Sequence, residues 1–552
     1  ESEPLLGTGE MSGLVNRRSQ VNGFCMAADG KAFDVAMMRM YLEGMGMDSS
    51  SGVTGPMEGS IPTGTAGGDG KADMLDGIPE WFIGPLLADL VVHEVGHTLG
   101  LRHNFKASSI YSMNQINSPD IKDKKPFTGS VMDYIPINFN FPDPAATAPE
   151  ADKKDEKGDA KKDDKPKAPA ISPQAKGNYA MTGVGPYDLW AIEYGYTFGD
   201  TKEVLKRVAE PELVYGTDED TGGPDPYIQR YDFASDPLEY CKNQADLAKW
   251  HRARLLDKFV KDGESWSKLR RGYEMTLGMQ TRSIAIMGPW IGGAHVNRDK
   301  KGDPNGRNPV VPVEAAKQRD ALKFIIEQTF RDESFGLTPQ LLEKMTVDKW
   351  LDAGGQGEAM QENTWPIHDR IAGLQAAALT RIMNPTTLRR VFDNEFRVPA
   401  DQDALTLPEV FDTVAGAIWT ELDNSPSGSF TARKPMISSL RRNLQREHLD
   451  RLMDLSLKGI GSGAASKPVQ TLATAKLREL KAKLEKFKDA SGLDPYTKSH
   501  LDDARARVTK ILDANYLYNP ASGGAGGGFN PFGMPAEPKG VMKPYPQDEA
   551  QR

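Results

Sequence analysis

The chain has 552 residues, 38% hydrophobic and 26% charged, with a formal net charge of -9. That length is enough for two or three domains with substantial cores. Its mild acidity argues against a nucleic-acid partner, which would call for a basic face, and no apolar run approaches the ~20 residues needed to span a bilayer.

Residues 1 to 30 are polar, with weak periodicity. Phe33, Met37, Met40 and Tyr41 then recur at helical spacing and predict a helix ending at Gly44 or Gly46. Its methionines read as core packing rather than as a soft binding surface. From Ser49 to Gly77 the chain is rich in Gly, Ser, Thr and Pro and reads as loop, so no convincing set of strands precedes residue 78. Trp81-Phe82-Ile83 leads to Gly84-Pro85, where proline suits a first helical turn, and Leu86, Leu87, Leu90 and Val91 predict a buried helix face.

The chemistry lies in His93-Glu94-Val95-Gly96-His97-Thr98-Leu99-Gly100-Leu101-Arg102-His103. On a helix His93 and His97 project from one face, a turn apart, so both imidazoles can reach one metal. Glu94 follows the first ligand, where a carboxylate can reach a water at the metal without ligating it, as a general base must. Gly100 tolerates the left-handed backbone that ends the helix and turns the chain, bringing His103 back as a third ligand. Three protein ligands leave one zinc position open, which in zinc sites usually means catalysis.

This stretch resembles the signature of the metzincin metallopeptidases, H-E-x-x-H-x-x-G-x-x-H followed by a Met-turn. Ser130-Val131-Met132-Asp133-Tyr134 is a candidate Met-turn. The resemblance implies that Met132 lies beneath the three imidazoles and that Tyr134 approaches the zinc to stabilise an oxyanion; buried loop anchors are the plainer alternative for both. More narrowly, His93 to Phe105, the Met-turn and Gly185 to Tyr196 look like a family of large bacterial zinc-dependent metalloproteases, the last run being the helix after the Met-turn. Asn104 departs from the residue that marks the better-known branches, so their substrate preferences do not transfer. The resemblance also implies a secreted or periplasmic destination. Its sheet, whose edge strand lines the substrate cleft, is expected in an upstream segment of the same precursor. The start at Glu1, with no methionine and no signal-peptide pattern, is expected of a mature product or a fragment.

Between Pro142 and Gln174 the chain is Lys, Asp, Glu, Ala and Pro, a composition that cannot offset its ordering entropy and predicts a linker or surface insertion. Residues 210 to 236 gather Glu210, Glu212, Asp218, Glu219, Asp220, Asp225, Asp232 and Asp236. Carboxylates at this density could hold Ca2+, but the spacing matches no calcium loop and a solvated acidic loop is the favoured reading. After Pro237 the pattern is helical: Ala321, Phe324, Ile325 and Phe330 form one apolar face, Ile437, Leu440, Leu444 and Leu452 another, Leu477, Leu480, Leu484 and Phe487 a third. Gly288 to Pro312 reads as a long connection, with a turn at Asp303-Pro304-Asn305-Gly306. Arg441, Arg442, Arg446 and Arg451 read as a solvated face. His251, His295, His368, His448 and His500 stand singly and are not assigned to metal. The cysteines, Cys25 and Cys241, are too few for a disulfide framework.

The expected fold class is α+β and predominantly helical. A metzincin-like zinc catalytic region, its N-terminal sheet incomplete, spans 1–200 with a disordered charged insertion at about 143–174. A mainly helical domain covers 201–516, and a flexible Gly- and Pro-rich tail covers 517–552. The expected function is a zinc metallopeptidase, an endopeptidase in which His93, His97 and His103 hold one Zn2+, Glu94 is the general base and a peptide is the substrate. Two alternatives stand beside it: a non-enzymatic helical scaffold with a structural zinc, which would not need Glu94, and a zinc hydrolase of non-peptide substrates.

Overall fold

The computed structural model describes residues 26–44, 74–75, 78–138, 178–181, 183–349, 361–426, 428–461, 463–488 and 490–513. The charged insertion, most of the Gly-rich stretch before residue 78, and the tail lie outside these residues. The fold is α+β and predominantly helical, and the sheet among the described residues consists of two two-stranded ribbons. The first is β1 (Met74–Leu75) antiparallel to β2 (Ile78–Pro79), leading straight into the zinc-motif helix.

Helix α1 (Met26–Gly44) buries Met37, Met40 and Tyr41 as their spacing predicts. It braces the next helix, α2 (Glu80–Thr98), through a Lys31–Asp89 ion pair of 2.5 Å. The same Lys31 donates to the Ile135 carbonyl at 3.1 Å, and Asp34 accepts the Ile137 amide at 3.1 Å. α1 thus ties α2 to the Met-turn region.

Two expectations for α2 need correction. The helix starts at Glu80, so Pro85 lies inside it rather than in its first turn. Its buried face is Phe82, Leu86, Asp89, His93 and Gly96, whereas Leu87 and Val91 are 49% and 60% exposed. α2 is apolar on nearly every side, so hydrophobicity alone could not tell inner from outer face.

Beyond α3 (Pro186–Tyr196) the chain becomes a set of packed helices: α4 (Pro237–Arg252), α5 (Ser267–Met287), α6 (Ala315–Thr329), α7 (Ile367–Met383), α8 (Pro385–Arg397), α9 (Leu407–Ile418), α10 (Ser439–Lys458), α11 (Ser466–Glu485) and α12 (Pro495–Leu512). Local chemistry sets several starts. Asp236, Asn384 and Thr406 each accept an amide of the first turn, and a proline occupies an early position in each helix, where its missing N–H costs nothing. The three apolar faces read from the sequence are buried. Tyr41 of α1 stacks on Trp250 of α4 at 5.1 Å, and one hydrophobic cluster runs from Met37 and Met132 to Leu477 and Val508.

The 288–312 connection is not plain loop. Ala294–Val296 (β3) and Val310–Pro312 (β4) pair antiparallel, His295 opposite Val311, around the turn in which the Gly306 amide bonds Asp303 at 3.0 Å. The Arg441 region also departs from the sequence reading. Arg441 and Arg442 are buried, because Arg441 bonds Glu421 and the ends of two helices rather than water.

Candidate metal centre

α2 presents His93 and His97 a turn apart, and the chain reverses immediately after it. Gly100 has φ +85°, in the left-handed region, and the Leu101 amide bonds the Gly96 carbonyl at 3.0 Å. The reversal returns His103, so the ligand atoms of His93, His97 and His103 all lie within 4.8 Å of one another.

The outer nitrogens fix how the inner ones point. His93 Nδ1 donates to the Val131 carbonyl at 2.8 Å, His97 Nδ1 to the Leu101 carbonyl at 3.0 Å, and His103 Nδ1 to Asp218 Oδ2 at 2.7 Å. Carbonyl and carboxylate oxygens only accept, so each Nδ1 carries the proton and each Nε2 a lone pair. The Nε2 atoms of His97 and His103 are 3.2 Å apart. Two lone pairs held that close repel unless a cation lies between them, and tetrahedral zinc holds two imidazole nitrogens about 3.3 Å apart. The residues fit zinc. Burial, aided by the neighbouring imidazoles and opposed by the Val131 carbonyl, pulls His93 down to about 4, leaving it neutral and ready to ligate at pH 7.

The 130–134 segment supports the triad at several points. Val131 supplies the acceptor for His93. Met132 is fully buried, its sulfur against the bare Cα of Gly96, where any side chain would collide with it. Tyr134 is buried, and its hydroxyl lies 2.9 Å from His103 Nε2. Asp188 of α3 clamps the segment, accepting the Val131 amide at 2.8 Å, the Gly185 amide at 3.0 Å and the Ser130 hydroxyl. Gly185 approaches the Gly129 backbone too closely for any side chain. Glu94 is exposed, one residue past His93, which feels its charge.

A family model described as Met-zincin matches residues 76–150 and 164–426, more than half of the chain. The chain belongs to that family of metzincin-type zinc metallopeptidases. No curated protein and no solved structure matches it.

In this Met-zincin the structure brings His93, His97 and His103 together, with Tyr134 beside His103 and Met132 against Gly96, and adds residues from beyond residue 200. The acidic segment 210–236 is not solvated as a whole, since Asp225 and Asp232 are buried, and among the described residues the histidine triad is the group whose ligand atoms converge. Its carboxylates hold the third-ligand loop instead. Asp218 takes His103, Asp225 takes Lys106 at 2.7 Å, Asp232 takes the Ser108 hydroxyl at 3.2 Å and Glu212 takes the Tyr111 hydroxyl at 2.5 Å, whereas Glu219 makes only a solvent-exposed pair with Arg102 at 2.7 Å and takes no part in this. Although burial raises it, Asp218 is held below the ordinary carboxylate range by His103 and Arg230. Asn104, the departure from the better-known pattern, is fully buried. Its amide bonds the Met132 carbonyl at 3.1 Å, and its side chain bonds the Val214 carbonyl at 2.9 Å and the Gly216 amide at 3.2 Å. The ribbon β3–β4 backs this arrangement through the Val296 amide on Asp225 at 2.9 Å.

None of the described helices is long and apolar enough to cross a membrane.

Proposed function

We propose that this Met-zincin is an endopeptidase that holds one zinc between His93, His97 and His103 and hydrolyses peptide bonds. The observation that carries the reading is the pair of Nε2 lone pairs facing each other at 3.2 Å, with every Nδ1 proton directed outward. Bound there, zinc supplies Lewis acidity and lowers the pKa of water to about 7. Glu94 takes the proton of the attacking water and hands it to the departing amine. Tyr134, with its hydroxyl at the edge of the triad, donates to the oxyanion developing on the scissile carbonyl. The outer hydrogen bonds fix the three imidazoles, so they need little reorganisation to hold the metal. The resemblance to the large bacterial enzymes supports a secreted or periplasmic setting. The outward row Leu87, Val91 and Val95 on α2, continued by Leu99 just past its end, supports the further reading that an upstream segment of the same precursor covers this face.

The test separates ligand from base. Glu94→Gln is expected to keep its zinc by elemental analysis while turnover on a peptide library falls about 100- to 10,000-fold. His103→Ala is expected to lose the metal, and Tyr134→Phe to keep the metal with a smaller loss of turnover. Chelator-sensitive cleavage at wild-type rate in Glu94→Gln would remove Glu94 from its role.

A further inference from the structure

His103 differs from the other two ligands in what holds it. His93 and His97 ride on α2, and each gives its Nδ1 proton to a main-chain carbonyl. His103 lies past Gly100 on irregular chain, and its Nδ1 partner is a side chain 115 residues further on, the Asp218 carboxylate. Asp218 is itself fixed. Its second oxygen takes Arg230 at 3.1 Å, the Arg230 guanidinium lies over the Phe105 ring at 4.6 Å, and that ring stacks on His103 at 5.0 Å. Three side chains therefore close a ring with the third ligand. The backbone at Asp218 is held too: it begins the turn Asp218–Asp220, in which Asp220 accepts the Thr217 amide at 2.9 Å and pairs with Arg298 at 2.5 Å.

We propose that Asp218 is a positioning residue of the zinc centre. It accepts the hydrogen bond of the His103 Nδ1–H, fixes the tautomer and the ring plane, and so aims Nε2 at the metal. Its negative charge makes this imidazole a stronger electron donor than the two bonded to neutral carbonyls. Asp218 does not act as a fourth ligand, because its oxygens sit at the Nδ1 side of the ring, away from Nε2, and are occupied by His103 and Arg230. Arg230 in turn keeps the carboxylate from swinging away, and Phe105 keeps the imidazole flat against its neighbours. The third ligand thus owes its aim to residues 218 and 230, and the loop that carries it cannot set that aim alone.

This inference rests on the zinc reading, and the experiment tells their failures apart. Zinc dissociation constants are measured by competition with a chromophoric chelator on the full chain and on Asp218→Ala, Asp218→Asn, Glu219→Ala and His103→Ala, with the melting temperature of each metal-free protein alongside. Asp218→Ala is expected to bind zinc about 10- to 100-fold more weakly while its metal-free melting temperature stays near wild type. Asp218→Asn keeps an oxygen acceptor without the charge and is expected to fall between Asp218→Ala and wild type. Glu219→Ala removes a neighbouring carboxylate that pairs with Arg102 on the surface and is expected to leave zinc affinity unchanged. Wild-type affinity in Asp218→Ala, or equal losses in Asp218→Ala and Glu219→Ala, would overturn the proposal. So would an Asp218→Asn protein whose metal-free form no longer melts cooperatively. If wild type bound no zinc, or His103→Ala kept it, the zinc assignment itself would fall instead.

Discussion

Asp133 and Asp232 are buried together beneath the Met-turn. Asp133 accepts the Ser108 amide at 2.9 Å and Asp232 the Ser108 hydroxyl at 3.2 Å, and each keeps one oxygen with no hydrogen-bond partner. Burial above all, and for Asp232 the charge of Asp133, raises both carboxyls above the ordinary range. Keeping a proton on one of the two relieves the repulsion. The folded state then holds a proton that the unfolded chain has released above its own carboxylate pKa of about 4. This contribution is complete below that pH and is lost as pH rises toward the raised folded value, at up to about 1.4 kcal/mol per pH unit. Asp232→Asn is expected to flatten this slope, so the gap in denaturation stability between pH 5 and pH 8 should be smaller than in wild type; parallel curves would contradict a proton retained by this pair. The same scale shows what the sequence could reveal. His93, Glu94, His97, Gly100 and His103 were legible because one helical turn and one glycine reversal fix their relations locally. Asp218 was hidden because its partner lies 115 residues away, and in sequence it was one carboxylate in an acidic run.

At the level of elements, α2 and the Met-turn meet through an absence of atoms. A Cβ at Gly96 would overlap Met132 Sδ, and the same turn places the Val131 carbonyl on His93 and the Asn104 amide on the Met132 carbonyl. Gly96→Ala is therefore expected to cost about 1–3 kcal/mol through overpacking and to weaken zinc binding, because the displaced Met132 adjoins Val131, whose carbonyl holds His93. Combining it with Met132→Ala should recover part of that loss, a non-additivity read in a double-mutant cycle; strictly additive effects would show that the glycine and the methionine do not oppose each other. The helix itself was predictable, but its orientation was not. Leu87 and Val91 are as apolar as Leu86, and only the positions of α1, Tyr179 and the Met-turn decide which of them is inside. The ribbon β3–β4 escaped for a different reason: three residues per strand among glycines and prolines carry too little alternation to read as strands.

Across the whole molecule, one apolar cluster joins the Met-turn to the last helices, with Met132, Ile135 and Trp250 in the same packing as Leu444, Leu477 and Val508. The apolar faces of those helices were legible from 3.6-residue spacing. The polar group at their centre was not, since a run of arginines usually marks a wet surface. Arg441 is 5% exposed. It donates to Glu421 at 2.7 Å, to the Phe330 carbonyl at 2.6 Å just past α6, and to the Ile418 carbonyl at 2.5 Å at the end of α9. It thereby satisfies helix-end carbonyls that have no water to turn to. Gln445 bonds the same Ile418 carbonyl at 3.1 Å and accepts His500 at 2.8 Å, so the group is connected and its loss is not local. Arg441→Met fills much of the volume but leaves Glu421 without its charge partner and the Phe330 carbonyl without this donor, at a cost of about 3–5 kcal/mol. Because the core is continuous, this distant change is expected to lower the temperature at which the zinc centre melts, in one calorimetric transition. Zinc affinity measured well below that temperature should stay at the wild-type value. A second transition that keeps the wild-type temperature while the first moves would show that the zinc centre and the late helices fold independently.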